Sequence, residues 1–403
     1  MISVAEARTR ILEVLSPTPA ETLGLAEAWN RVTAAPVTAR LTQPPADVSA
    51  MDGYALRAAD GTRGAVLRVI GAAPAGHPFH GSVGPGQAVR LFTGSLVPPG
   101  ADTILLQEDA TASGATVQVN ETVVAGKHIR RAGQDFRAGE ILIPAGQRLS
   151  ARDIGLCAAA NHPWLAVHRR PEIAILATGD EIALPGEPIP QGGIVSSNAH
   201  ALAALVQAAG GRARVLPIAP DTEEAIAAAA AGARGADMLV TTGGASVGDH
   251  DLVVPGLAAR GLTVDFWKIA MRPGKPLMFG RMGDGGVPVL GLPGNPVSAL
   301  VCAILFLMPA IARMAGLPAG APPTERARLG APLPANDRRA DHLRAHLEPG
   351  ADGEAVVTAF GRQDSAMLNR LAAANALILR APNAPALAVG AAVEVIRLDR
   401  LGI

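Results

Sequence analysis

The sequence predicts a multidomain chain of α/β and β class. A central doubly wound α/β domain with a parallel sheet is joined to a β-rich domain, a helical linking region and a small C-terminal β domain. Three observations predict this. At 403 residues the chain is too long for one hydrophobic core. From Pro171 onward strands and helices alternate, as in 172-EIAILATG-179, 198-NAHALAALVQAAG-210, 213-ARVLPIA-219, 221-DTEEAIAAAAAGAR-234 and 237-DMLVTTGG-244. Repeated β-then-α units build a parallel sheet with helices on both faces. Around that stretch the texture differs: 65-AVLRVIG-71, 87-QAVRLFTG-94, 103-TILLQED-109 and 115-ATVQVN-120 are short runs between Gly/Pro turns, and 343-LRAHLEPGADGEAVVTAF-360 carries a hairpin signal.

In order along the chain, residues 1–30 read as helical, with Ile11, Leu12 and Leu15 on one face and Pro17 and Pro19 ending the element. Residues 31–139 are the β-rich domain. Residues 140–170 return to the linking region, where Ser150 and Asp153 give a capped helix over 150–162. Residues 171–319 are the α/β domain, which adds a helix near 251–259, strands near 263–269 and 287–294, and a long helix over 295–315. Residues 320–403 form the C-terminal β domain. The apolar run 297-VSALVCAILFLMPAIA-312 contains Pro309, ends at Arg313 and is shorter than the roughly 20 residues of a membrane span; it reads as a buried helix.

Lys+Arg and Asp+Glu are equal at 35 each, and charged residues are only 17% of the chain. That balance gives no electrostatic footprint for nucleic acid or a membrane surface. Cys157 and Cys302 are the only cysteines, both in Ala-rich runs, so neither a disulfide framework nor a zinc cluster is expected. The opening MISVAEARTRILEVL lacks the apolar core of a signal peptide, and a cytoplasmic location is expected.

Ligands of open α/β sheets bind beyond the carboxyl ends of the strands. Five polar motifs should share that rim: 178-TGDE-181, 219-APD-221, 242-TGGASVGDHD-251, 272-RPGKP-276 and 293-PGNP-296. Half of this material suits phosphate. Gly243, Gly244 and Ser246 can offer backbone N–H groups at close approach; helices starting at 196-SSN-198 and 294-GNPVS-298 present positive dipole ends; Arg272 and Lys275 bring charge. The other half is acidic: Asp180, Glu181, Asp221, Asp249 and Asp251. Carboxylates repel phosphate, and a hard dication such as Mg²⁺, held by one or two carboxylates plus phosphate oxygens, reconciles the two. Singly the acids have ordinary readings, Asp221 as a helix cap and Asp180 as a turn brace. No Ser-His-Asp or Cys-His set is apparent. In the β-rich domain 49-SAMDGYAL-56, 92-FTGSLVPPGAD-102 and 130-RRAGQDFRAGE-140 read, by themselves, as turns.

These motifs, in this order and over the whole length, resemble the molybdopterin molybdenumtransferases, the bacterial MoeA family that includes the E domain of gephyrin. They are SAMDGYA, TG with PPGAD, RRAGQD, TGDE, SSN, TTGGASVGDHD, RPGKP, GLPGNPVS and 361-GRQDSAMLNRLAAANALI-378. The resemblance implies an elongated homodimer whose α/β domain is MogA-like. It implies insertion of molybdate into adenylylated molybdopterin, with Mg²⁺-dependent hydrolysis and release of AMP. Glu181, Asp221, Asp249 and Asp251 would serve the metal. Catalysis would rest on Asp52, Glu181, Asp221, Asp251, Lys268 and Lys275. Substrate would be bound by Thr93, Asp135, Thr178, Gly179, Ser197, Gly243, Gly244, Ser246, Arg272, Pro293, Asn295, Pro296 and Ser365. Asp52, Thr93 and Asp135 would reach the site of the other subunit. The molybdopterin adenylyltransferase and cofactor-accepting enzymes are the implied protein partners.

The chain departs from the family pattern in two places: Arg272 stands where many members have lysine, and Asn369 replaces a serine of the late motif. Two other readings share the fold. An adenylyltransferase would need only the α/β domain, and the flanking MDGYA and GRQDSAML segments oppose it. A non-catalytic dimeric scaffold would have no reason to keep rim carboxylates facing Lys275.

Overall fold

The computed structural model describes residues 1–243, 252–351 and 353–403. The α/β domain is a six-stranded sheet in the order Arg212–Val215, Glu172–Ala177, Met238–Thr242, Val287–Leu292, Met278–Met282, Thr263–Trp267. The first four strands are parallel, and the last two extend the sheet antiparallel. The chain's first strand here, Glu172–Ala177, is flanked by the second and third, so strand order reverses on either side of it. That reversal opens a crevice at the carboxyl ends of Glu172–Ala177 and Met238–Thr242.

Alternation along the strands separates two cores. Ile173, Ile175, Ala177, Met238, Val240, Leu290 and Leu292 face the helices Asn198–Ala208 and Pro296–Met314. Ala174, Leu176, Leu239, Met278 and Val289 face Glu223–Ala230 and Val253–Ala258. The long apolar helix is thus buried inside the fold, with Val301, Cys302, Phe306, Leu307 and Ile311 fully covered. It is α-helical over Pro296–Cys302, widens to a π-turn over Ala303–Leu307, and resumes over Met308–Met314. Pro309 lacks an N–H and its ring crowds the carbonyl four residues back; the wider turn just before it relieves both constraints.

The linking region holds one element that the sequence does not announce. Helix Val4–Glu13, capped by the Ser3 hydroxyl, is followed by a strand, Ala20–Gly24, paired antiparallel with Trp164–His168. The segment expected to be helical to residue 30 is therefore part strand, held by a partner over 140 positions away. Ser150 and Asp153 form the expected reciprocal cap of Ala151–Ala159. In the β-rich region a six-stranded sheet runs Thr103–Leu106, Gly53–Leu56, Gln87–Leu91, Val66–Ala73, Thr116–Val119, Ala110–Ser113. Among the described residues, no hydrogen bond or ion pair joins residues 42–136 to residues 171–403.

At the C-terminus, Ala340–Pro349 and Ala355–Ala359 form the expected hairpin. Ala340–Pro349 also pairs with Ala376–Arg380, curling the sheet into a small barrel. The two-residue strand Met271–Arg272 from the α/β domain joins that sheet in parallel. Leu371, Leu377, Ile396 and Leu398 share a core with the α/β helices, so the C-terminal domain is anchored to the α/β domain. We expect Leu290→Ala, in the centre of the sheet, to cost about 2–5 kcal/mol in denaturant unfolding. Ile194→Ala, at a site 57% exposed, should cost about 0.5 kcal/mol or less.

Candidate active site at the strand-end crevice

Three strand ends meet at the crevice, and backbone geometry explains their residues. The Thr178 N–H donates to the Thr242 carbonyl at 3.3 Å, and the Gly179 N–H donates to the Ala219 carbonyl at 3.2 Å. Gly179 adopts φ +149°, and a Cβ there would lie 2.6 Å from the Glu181 carboxylate, which folds back over it. Gly243 adopts φ +98°, and a Cβ there would lie 2.7 Å from the Thr178 carbonyl oxygen. A larger residue at Gly243 would push the strand ends apart, whereas one at Gly179 would displace the Glu181 carboxylate.

Asn198, which the sequence reading passes over in favour of Ser197, ties these ends together. Its Nδ2 donates to the Thr242 hydroxyl at 2.8 Å and to the Gly294 carbonyl at 2.7 Å, while its Oδ1 is buried without a partner among the described residues. Ser197 precedes the first turn of Asn198–Ala208 and its side chain does not cap that helix. Asn295 likewise leads into the long helix with its side chain uncommitted to capping, Pro296 is the first helical residue, and Pro293 is buried beneath. Two helix N-termini therefore face the rim with hydroxyl or amide groups to spare.

Asp180, Glu181 and Asp221 are all solvent-exposed. The cap of Glu223–Ala230 is Thr222, whose hydroxyl accepts from the Ala225 N–H at 3.1 Å, so Asp221 is not spent on capping. Asp180 does brace the turn, accepting the Asp221 N–H at 3.1 Å. Partial burial, then the charges of Asp180 and Glu181, push the Asp221 carboxyl above the usual carboxylate range. The three acids thus repel one another across the 178–181 and 219–221 loops. Among the described residues no trio of acid, histidine or cysteine groups is close enough to form a ready-made metal cage. Gly244, Ser246, Asp249 and Asp251 lie outside the described residues.

The basic loop folds back on itself: the Lys268 N–H donates to the Leu277 carbonyl and the Ile269 N–H to the Lys275 carbonyl, both at 3.0 Å. Lys268 sits at φ +71°. Lys275 is exposed, and neither lysine has an ion-pair partner among the described residues. Arg272 is engaged differently from what the motif suggests. Its Nε and Nη2 donate to the buried Asp341 carboxylate at 3.0 and 2.6 Å. A bidentate pair of this kind fixes the loop to the C-terminal barrel and occupies the fork.

The late motif also reaches the crevice. The Val297 N–H, in the first turn of the long helix, donates to the Ser365 carbonyl at 3.1 Å. The loop bearing Ser365 is clasped by Arg344, only 1% exposed. Gln363 Oε1 accepts from Arg344 N and Nε at 3.0 and 3.3 Å, Gln363 Nε2 donates to the Arg344 carbonyl at 2.9 Å, and Arg344 Nη1 donates to the Met367 carbonyl at 3.2 Å. Sequence reasoning missed Arg344 because an arginine in a strand normally reads as surface. Asn369 is exposed one turn later.

In the β-rich domain Asp52 and Thr93 are brought together. Asp52 Oδ1 accepts the Thr93 N–H at 2.7 Å and its hydroxyl at 2.8 Å. The Thr93 N–H, the Thr93 hydroxyl and the nearby Arg90 charge hold the Asp52 carboxyl below its usual range. Arg90 is itself stacked on Tyr54 and Phe92, at 5.0 and 5.1 Å from the ring centres. Asp135 is exposed, its N–H bonded to the Gln43 carbonyl at 3.0 Å. Among the described residues, no hydrogen bond joins this knot to the crevice within one chain.

Comparison with known proteins agrees with this architecture. Family models match residues 2–161 as the MoeA N-terminal region (domains I and II), 174–313 as a probable molybdopterin binding domain, and 326–398 as the MoeA C-terminal region (domain IV). The chain is 33% identical to a molybdopterin molybdenumtransferase of Haemophilus influenzae, covering 94% of each chain. It is 38% identical to one of a Nostoc species, over 74% of this chain and 70% of that one. A molybdopterin biosynthesis MoeA protein from Pyrococcus horikoshii superposes with a TM-score of 0.86 at 26% identity, covering 99% of both chains. The chain belongs to the MoeA family of molybdopterin molybdenumtransferases.

Proposed function

We propose that this enzyme of molybdenum cofactor biosynthesis binds adenylylated molybdopterin and molybdate in the strand-end crevice. Hydrolysis of the phosphoanhydride, with water as the attacking group, releases AMP, and molybdenum is placed on the dithiolene. The observation that carries this reading is the meeting of mutually repelling carboxylates, Asp180, Glu181 and Asp221, with two helix N-termini and the unpaired Lys268 and Lys275. Phosphoanhydride cleavage by positioning and charge neutralisation needs no protein nucleophile. Family models match on both sides of the α/β domain, which favours this reading over an adenylyltransferase built on that domain alone.

The donor set fits Mg²⁺. Hard carboxylate oxygens that repel one another are relieved by a dication, and Mg²⁺ commonly takes only one or two of them plus phosphate oxygens. Glu181 and Asp221, with Asp249 and Asp251 of the TTGGASVGDHD motif, would hold it. Bound there, Mg²⁺ would neutralise phosphate charge and act as a Lewis acid. Lys275 and Lys268 would bind the anionic groups of substrate or molybdate. Asn295, Thr178 and Ser197 would donate or accept at the phosphate and pterin edges, and Ser365 would close the crevice from the C-terminal domain. Arg272, held by Asp341, would set the position of the loop that carries Lys275.

The Asp52–Thr93 knot, with Asp135, would complete the site of a second subunit, making the working unit a homodimer. That no hydrogen bond joins the β-rich domain to the α/β domain of the same chain among the described residues supports this. The cytoplasm, where the adenylyltransferase could hand over substrate and cofactor-accepting enzymes could collect product, is the proposed setting.

Purified chain given adenylylated molybdopterin, Mg²⁺ and molybdate should release AMP and form cofactor; no AMP release contradicts the reading. Asp52→Asn should lower turnover about 100-fold with an unchanged circular dichroism spectrum; a normal rate makes Asp52 a turn residue only. Mixed dimers of Asp52→Asn and Glu181→Gln chains should regain activity, because one of their two sites is intact. Mixtures as inactive as the parents refute the shared site. Because the Asp221 pKa is raised on folding, the native state binds more protons than the unfolded state across that range. Stability contributed by this group is therefore lost as pH rises through the raised pKa. The rise in Tm on adding Mg²⁺ should accordingly be larger at pH 7 than at pH 4, and should shrink in Asp221→Asn. An equal rise at both pH values contradicts the acidic site.

A further inference from the structure

A second charged feature lies at the opposite end of the α/β sheet from the crevice. Arg170 and Arg212 stand just before or at the start of two adjacent parallel strands, where Glu172 and Arg212 are register partners. Across a six-residue strand this places them roughly 20 Å from the strand-end rim. The Arg212 N–H donates to the Pro171 carbonyl at 2.7 Å, drawing the two segments together. With Gln207, Gly211 and Ala213 they line a cavity of about 530 Å³, within the size range of small-ligand sites.

Charge around this cavity does not balance. Glu21 is paired with Arg31, Glu172 with Arg214 at 2.5 Å, and Asp237 with Arg169 at 2.6 Å. Each neighbouring carboxylate therefore has its own arginine. Left over are Arg148, Arg170 and Arg212, none with a carboxylate partner among the described residues. Arg148 lines a neighbouring concavity with Asn30 and Ala209, its fork on two neutral oxygens, Asn30 Oδ1 at 3.1 Å and the Ala209 carbonyl at 3.2 Å. Burial, and then the charge of Arg170, hold the Arg148 guanidinium below its ordinary range. In a chain of zero net charge, two arginines lining one concavity without carboxylate partners, with a third close enough to feel the charge of Arg170, are a cost that an anion would relieve.

We propose that this cavity is a binding site for a small phosphate-bearing anion, separate from the crevice and not used in the reaction. Guanidinium forks match phosphate oxygens in pairs, and the Gln207 amide adds a neutral donor. A concavity suits a small ligand better than a flat protein surface. The phosphates could come from a free inorganic anion or from the tail of a nucleotide.

Isothermal titration with inorganic pyrophosphate, and with ADP in parallel, tests the proposal on the full chain. Wild type should bind pyrophosphate at a site that Lys275→Ala retains at unchanged affinity, whereas in Arg170→Ala and Arg212→Ala that site should bind it about tenfold or more weakly. Both arginines are exposed, so these variants should keep wild-type melting curves and AMP release. ADP binding tighter than pyrophosphate identifies a nucleotide, and equal binding identifies the phosphates alone; either result supports the site. Pyrophosphate binding that is lost in Lys275→Ala and retained in the arginine variants assigns it to the crevice and overturns the proposal. So does no binding at all, or binding of polyglutamate in place of pyrophosphate.

Discussion

The structure depends on holding three strand ends closer together than side chains normally permit. Gly243 packs its Cα against the Thr178 carbonyl, Gly179 leaves room for the Glu181 carboxylate, and Asn198 bonds Thr242 and Gly294 at once. A methyl group at either glycine would meet an atom at under 3 Å. Because the ends are pinned there, the acids of the 178–181 and 219–221 loops share one patch of solvent with the N-terminus of the long helix. Packing thus sets the electrostatics: the acids are neighbours because the strands are, and partial burial, then their repulsion, raises the Asp221 pKa.

The same economy of placement applies to the C-terminal domain. Its barrel is joined to the α/β domain by a shared apolar core, by the Met271–Arg272 strand pairing and by the Arg272–Asp341 fork. The Asp341 carboxylate is nearly fully buried, and leaving it without Arg272 would strand a charge in a low-dielectric setting. An arginine suits this role better than a lysine, because two parallel bonds fix orientation as well as distance. The departure at position 272 therefore has a structural account in this chain. With Arg344 clasping the Ser365 loop, it presents the barrel to the crevice in one orientation.

Much of this was legible in the sequence, for definite reasons. Strand-then-glycine motifs such as 178-TGDE-181 and 293-PGNP-296 are local: the turn and the polar residue that it positions lie within four residues of each other. The doubly wound core was legible because apolar alternation and helical periodicity are also local signals. What escaped depends on distant partners. Ala20–Gly24 is a strand only because Trp164–His168 lies beside it. Asn198 is a staple only because the Thr242 and Gly294 ends reach it, and Asp341 and Arg344 are buried only once the barrel closes. Thr222 rather than Asp221 caps its helix, a one-residue choice between two capable residues that propensity alone does not decide.

The proposed role of the acids at the strand-end crevice is to hold a divalent cation beside phosphate. Electron paramagnetic resonance of bound Mn²⁺ tests it without relying on turnover. The wild-type chain should show a saturable Mn²⁺ site, displaced by excess Mg²⁺, and at least about tenfold weaker in Glu181→Gln and in Asp221→Asn. Undiminished Mn²⁺ binding in both variants would contradict it.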